Sequence, residues 1–288
     1  MIKVLAVNAF NLYGNAAEED RFGDVEALIR GSGADIVAVQ EIVARPEEVG
    51  EPIQRVLAER NVRRLADAVG LCCEAGHQPV LALGGGIHHT ALLWRAGLEV
   101  VPGSVRRFER VPDGMWHSMV TAVVDLGGPR LRVGSVQLSP FDQAWAWSDA
   151  AQIMRAMNSD TVPGLVGGDF NGLGSDPSYD LDPYSEVEWR PDHAYQLDEH
   201  GQLDRRVARR LEGPGRMRDC AILAGAPWRA TAGHWPADAH PPRRIDRWYA
   251  TYHLPAGAVV GHQVDGSDRA RGCTDHLPVA VLIEPDAL

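Results

Sequence analysis

Three features of this 288-residue sequence predict an α/β fold. Short apolar runs rich in β-branched residues alternate with segments whose apolar residues recur at helical spacing. Polar clusters of Asp, Asn, Glu and His stand where the apolar runs stop. The last runs meet clusters like those of the first, which places both ends of the sequence in one core and predicts a single domain over residues 1–288.

In chain order, Ile2–Val7 and Asp35–Val39 read as strands. Between them Glu18–Arg30 carries Phe22, Val25, Leu28 and Ile29 on one helical face. Glu51–Val69 is a second helix. Ala91–Arg95, Leu98–Val101, Met119–Leu126 and Leu131–Leu138 read as strands, Asp142–Met157 as a helix and Gly164–Gly168 as a strand. From Leu173 to Arg244 the chain is rich in Pro, Asp, Gly and Arg, and its weak periodicity predicts long loops with short helices. Ile245–Thr251 and His276–Ile283 are the closing strands.

Composition bounds the function. No run approaches the roughly 20 apolar residues that span a bilayer, so no membrane partner is expected. The apolar run at the start stops at Asn8 and fits a strand better than a secretory leader, which gives a cytoplasmic expectation. The four cysteines form no CxxC pair and predict free thiols. A net charge of −11 disfavours strong non-specific binding to nucleic acid.

The polar clusters carry the chemistry. Asn8 follows Val4–Val7, Gln40-Glu41 follows Ile36–Val39, and Gly168-Asp169-Phe170-Asn171 follows Leu165–Gly167. Thr274-Asp275-His276-Leu277-Pro278 leads into the last strand, and Arg244-Ile245-Asp246 adds a carboxylate beside another. Strand ends are where open α/β sheets place ligands, and oxygen donors converging there suit a hard cation. Any one of these residues is more often a turn or cap residue. Five in register are not.

In order and spacing these pieces resemble the endonuclease/exonuclease/phosphatase superfamily over residues 8–279. The resemblance implies a four-layer α/β sandwich, two mixed β-sheets packed face to face with helices outside. It implies a divalent-metal-dependent phosphoesterase, with Glu41, Asn8 and Asp275 holding Mg²⁺ or Mn²⁺. Asp169 would orient and deprotonate the attacking water, and Asn171 would donate to a phosphate oxygen. Asp246 would pair with His276 and keep it protonated against the phosphate.

One position departs from the family pattern. Gln137, in Ser135-Val136-Gln137-Leu138, stands where a histidine is usual, and an amide cannot deliver a proton near neutral pH. His88 is a candidate replacement, placed against Gln137; the competing expectation is that His88 and His89 are both solvated beside a mobile Gly84–Gly86 loop. Trp145 and Trp147 could stack a base, although Trp145 and Phe141 are expected in the core. The expected substrate is a phosphodiester in a small or specialised molecule, with a monomeric enzyme. The alternatives are a DNA or RNA nuclease, using Arg106, Arg107 and Arg110 as a basic strip, and a fold turned to binding or other chemistry.

Overall fold

The computed structural model describes residues 1–45, 51–109 and 117–288; Arg110 lies outside the described residues. Its first half holds β1 (Ile2–Leu12), α1 (Glu19–Ser32), β2 (Ile36–Val43) and α2 (Glu51–Val69). A hairpin of β3 (Glu74–Ala75) and β4 (Gln78–Pro79) precedes β5 (Leu81–Leu83) and β6 (His88–Trp94). Then come β7 (Glu99–Val100), β8 (Arg106–Phe108), β9 (Ser118–Asp125), β10 (Arg130–Gln137), α3 (Gln143–Met157) and β11 (Gly164–Asp169). The second half adds α4 (Arg206–Glu212), β12 (Arg218–Asp219), α5 (Cys220–Leu223), β13 (Asp246–Ala250), β14 (Val259–Val264), α6 (Asp268–Cys273) and β15 (Val279–Ile283).

Two mixed sheets result. One runs β14-β15-β1-β2-β6-β5; the other runs β12-β13-β11-β10-β9-β7, with β8 also on β9. Within each, one central pair is parallel, β1 with β2 and β10 with β11, and the remaining pairs are antiparallel.

Strand alternation sorts the core into three layers, because successive side chains face opposite sides of a sheet. Val4 and Ala6 point between the sheets, against Val120, Val133 and Trp248. Leu5 and Val7 point outward, into a layer closed by Phe22 of α1, Val62 of α2 and Ala270 of α6. Outside the other sheet, Val136 and Val166 pack on Ala150 and Ile153 of α3 and Leu211 of α4. Helix, sheet, sheet, helix is the four-layer sandwich.

Local chemistry sets the helix ends. Asn15 and Asp142 accept from backbone N–H groups ahead of α1 and α3, and Gly33 ends α1 in the left-handed region at φ 63°. No described helix is long and apolar enough to cross a membrane. All four cysteines are free, and Cys72 is exposed. Phe141 and Trp145 are exposed, which corrects the expectation that they join the core. Both flank the start of α3, whose inward stripe is filled by Ala146, Ala150 and Ile153.

Candidate active site

Topology alone brings the polar clusters to one end of the sandwich. β1, β2, β10 and β11 finish there, and antiparallel β13 and β15 begin there. The register makes Asn8 the neighbour of Gln40, Gln137 the neighbour of Asp169, and Asp169 the neighbour of Asp246.

Two sheet irregularities aim the side chains. The β1–β2 register shifts between Asn8 and Leu12, where Phe10 and Asn11 have φ of 44° and 54°. The β2–β6 register shifts between Val39 and Ile42, where Glu41 has φ 62°. A left-handed glutamate inside a strand is a strained conformation that the surrounding sheet must hold. It turns the Glu41 carboxylate toward the other sheet.

The two sheets are tied together by polar side chains. Asn8 Nδ2 donates to Glu41 Oε1 at 3.1 Å and to Asp169 Oδ2 at 3.3 Å. Gln137 Nε2 donates to Glu41 Oε1 at 2.9 Å. Behind them the fully buried Gln40 donates to Ser135 Oγ at 2.9 Å, and Ser135 donates to Val39 O at 3.0 Å. The glycines before Asp169 permit this approach. A Cβ on Gly168 would stand 1.9 Å from Val136 O, and one on Gly167 would meet the Trp248 ring at 2.3 Å.

Asp169 accepts from the Asn171 backbone N–H at 2.9 Å and from Asn171 Nδ2 at 3.0 Å. Asn171 Nδ2 also donates to Leu138 O at 3.0 Å, so its amide hydrogens are both engaged within the protein. Gln143 and Gln196 in turn hold Asn171 O at 2.8 and 3.1 Å. On the opposite side His276 Nδ1 donates to Asp246, 3.0 and 2.9 Å from its two oxygens. Thr231 Oγ1 accepts from the backbone N–H of Ile245 and Asp246 at 3.1 and 3.0 Å, fixing that segment.

Charges in the site are set by burial and by one another. Burial disfavours charge on His276, but Asp246, Asp275 and Asp169 outweigh it and hold the imidazole well above its ordinary value. Burial, with Asp246 and Glu41 adding to it, pushes Asp169 up to about 7. Burial likewise raises Asp275 to about 6. Glu41 is pushed up by burial too, but His88, His276, Asn8 and the Asn11 N–H prevail and leave it below the ordinary carboxylate value.

Among the described residues His88 is not hydrogen-bonded to Gln137. Its Nε2 is 2.7 Å from Asn11 Oδ1 and 4.0 Å from Glu41 Oε2, so His88 and Gln137 address different oxygens of one carboxylate. Nor are both histidines solvated: His89 is fully buried, with Nδ1 accepting from the Gly84 N–H at 3.1 Å. Leu83 and Gly84 fold back over β6, which brings His89 under the loop. Of the expected basic strip, Arg107 spends its guanidinium on Leu81 O and Pro79 O, Arg106 donates to Ser159 Oγ at 2.6 Å, and Arg110 lies outside the described residues.

Sequence reasoning passed over Asn11, whose backbone N–H reaches Glu41 Oε2 at 3.1 Å, and Tyr195, which bonds Arg243 and lies within the field of Asp169. Asn11 sits three residues beyond a motif residue, where only the bulge turns it inward. Tyr195 comes from the long aperiodic segment and has no motif around it.

Several groups suit a cation. Asp275 Oδ1 is buried without a hydrogen-bond partner, and an ionised, partnerless carboxylate oxygen is costly unless a cation faces it. Asp169, Asp246 and His276 also place ligand-type atoms within 4.8 Å of one another. There, however, His276 is held protonated by Asp246, and an imidazolium is a donor only.

A carboxylate-and-imidazole site at the open end of a two-sheet α/β sandwich is thus the class of structure this chain forms. The Endonuclease/Exonuclease/phosphatase family model matches residues 9–276, and the chain belongs to that family of phosphoester hydrolases. A truncated TDP2 of Caenorhabditis elegans is similar in fold, at 17% identity and a TM-score of 0.59 over 98% of both chains. An endonuclease/exonuclease/phosphatase family protein from Leptotrichia buccalis gives 14% identity and a TM-score of 0.60 over 99% of this chain and 100% of its own. Another from Beutenbergia cavernae gives 20% identity and a TM-score of 0.58 over 97% of this chain and 70% of its own. Among curated proteins there is no match.

Proposed function

We propose that the chain hydrolyses a phosphodiester with the help of Mg²⁺ or Mn²⁺, and that it acts as one domain on a small or specialised substrate. The observation that carries this reading is the meeting of Glu41 and Asn8 from one sheet with Asp169 from the other, beside the Asp246–His276 pair. Glu41 and Asp275 would hold the metal. Asn8 would join them by turning its amide, since its Oδ1 now accepts from the Phe10 N–H at 3.2 Å. The bound cation would neutralise phosphate charge as a Lewis acid.

The protein groups divide the remaining work. Asp169, lifted toward neutrality, accepts the proton of the attacking water. Asn171 holds that carboxylate in place, and a direct phosphate contact would require it to release Leu138 O or Asp169. His276, charged and oriented by Asp246, donates to a phosphate oxygen. Gln137 positions Glu41 and supplies no proton, so the leaving oxygen takes its proton from water. Net charge and the engaged Arg107 guanidinium favour a small substrate over a long nucleic acid.

The test is a titration of Mg²⁺ and Mn²⁺ against bis-p-nitrophenyl phosphate hydrolysis, with metal affinity read by calorimetry. Glu41→Gln and Asp275→Asn should each weaken metal binding by tenfold or more with the fold intact. Unchanged affinity in both would remove these residues from the metal site, and absence of hydrolysis with either metal would remove the activity.

A further inference from the structure

A cleft of about 710 Å³ lies beside the segment that carries His276, outside the carboxylate cluster. Its lining includes Ala232, which bridges to His276, and Leu277, the next residue. The volume is that of a small-ligand pocket.

The chemistry of the walls is distinctive. Arg229, Arg271 and His234 line the cleft, and among the described residues no acidic side chain does. The adjoining cleft, which shares Val264 and Gly266 with this one, carries Asp265, and another carries Asp142, Asp198, Glu199 and Asp204. In a chain of net charge −11, a cleft whose two charged side chains are both guanidinium groups is a departure. Among the described residues neither Arg229 nor Arg271 forms an ion pair, and both are exposed. Arg271 is steadied by donation from its Nε to Gly266 O at 3.1 Å, which leaves its other donors unclaimed.

Trp228 supplies a flat wall. It is 41% exposed, yet its indole N–H is fixed to Asp180 Oδ1 at 3.0 Å. Asp180 is itself locked by Arg244 and Arg247 at 2.6 and 2.9 Å, so the ring is anchored to a rigid buried cluster. An exposed aromatic ring held this firmly has already lost the side-chain freedom that binding would otherwise cost. Guanidinium groups match phosphate, and an exposed ring face matches a base.

We propose that this cleft is a nucleotide-binding site separate from the carboxylate cluster, with the phosphate held by Arg229 and Arg271 and the base stacked on Trp228. The proposal stands apart from the hydrolytic reading, and its test contains EDTA so that a loaded metal site plays no part.

AMP is titrated while tryptophan fluorescence and heat are followed, with adenosine and inorganic phosphate as the halves of the ligand. Saturable AMP binding, tighter than either half, is expected. The exposed double variant Arg229→Ala/Arg271→Ala should unfold at the wild-type temperature and bind AMP at least tenfold more weakly. Trp228→Ala should weaken it by roughly five- to 100-fold, within the range of aromatic stacking, and Trp228→Phe by less. Asp169→Asn should leave AMP affinity unchanged. A tetrathymidylate binding more tightly than AMP would name a nucleotide within a chain as the source; the reverse would name a free nucleotide. No saturable binding, retention of affinity in the double arginine variant, or loss with Asp169→Asn would overturn the proposal.

Discussion

His89 is an imidazole whose neutrality the fold requires. Burial lowers it from 6.5 to about 4, and its Nδ1 must stay unprotonated to accept from Gly84. The unfolded chain takes up a proton there below pH 6.5 while the folded chain does not, so stability falls as pH drops from 6.5 toward 4 and is fully present above that window. His89→Asn should flatten this slope by up to about 3 kcal/mol across the window, read from urea unfolding at a series of pH values. Burial pushes His240 and His262 down to about 4 as well, so the wild-type slope is a sum and the variant removes one share. The Asp246–His276 pair calls for a different readout. Asp246→Asn keeps the shape but weakens the hold on the imidazole, and kcat should fall more than tenfold with metal affinity nearly unchanged. An equal loss of metal affinity would place Asp246 among the ligands.

At the scale of elements, the Gly167-Gly168 pair shows how little room the strand before the site leaves. Trp248 of β13 lies over Gly167 with its own N–H donated to Val279 O at 2.9 Å, so the ring has no easy retreat. Gly167→Ala should cost about 3 kcal/mol, at the upper end of overpacking, measured as a lowered urea midpoint; a loss under 1 kcal/mol would mean the ring moves freely. Elements with strong periodicity were legible in the sequence. The span read for α2 matches the structure, and β1, β2, β9, β10, β11, β13 and β15 fall on the predicted apolar runs. Among the pieces that were not legible, three show why. β14 is half-exposed, and Gly261 and His262 interrupt its alternation; α6 has six residues, too few for a period; β5 has three. The site divides the same way. Asn8, Glu41, Asp169, Asp246 and His276 stand at strand ends that a pattern of runs exposes. The place of His88 depends on a register shift in β2 and a glycine loop, and Tyr195 depends on how an aperiodic segment folds back, neither of which local sequence encodes.

Across the whole molecule, that aperiodic segment is fastened by a buried ionic cluster. Arg244 and Arg247 each meet Asp180 and Asp219 at 2.6 to 3.0 Å, with all four side chains nearly inaccessible. Asp180 lies in the loops, Asp219 precedes α5, and the arginines flank Asp246, so the cluster joins the loop layer to the strand bearing half of the imidazole pair. Removing one charge leaves the others uncompensated in a place water does not reach. Asp180→Asn should destabilise the chain by about 3–5 kcal/mol and dim the Trp228 anchor with it, whereas breaking the surface pair Arg63–Glu74 should change stability by less than about 1 kcal/mol. Thermal and urea unfolding of the two variants side by side checks the contrast.

The pairing of β1 with β15 sets a schedule for synthesis. Thr274 Oγ1 reaches Asn8 O across 266 residues of chain at 2.7 Å, and β15 is the central neighbour that β1 needs on its other edge. At roughly 5–20 residues per second of translation, β1 and β2 leave the ribosome on the order of ten seconds or more before β15 can cover them. Throughout that interval an apolar strand edge stands open, and Asp275 and His276 are still missing from the site. A chain stopped before β15 would leave the β1 edge of the first sheet uncovered.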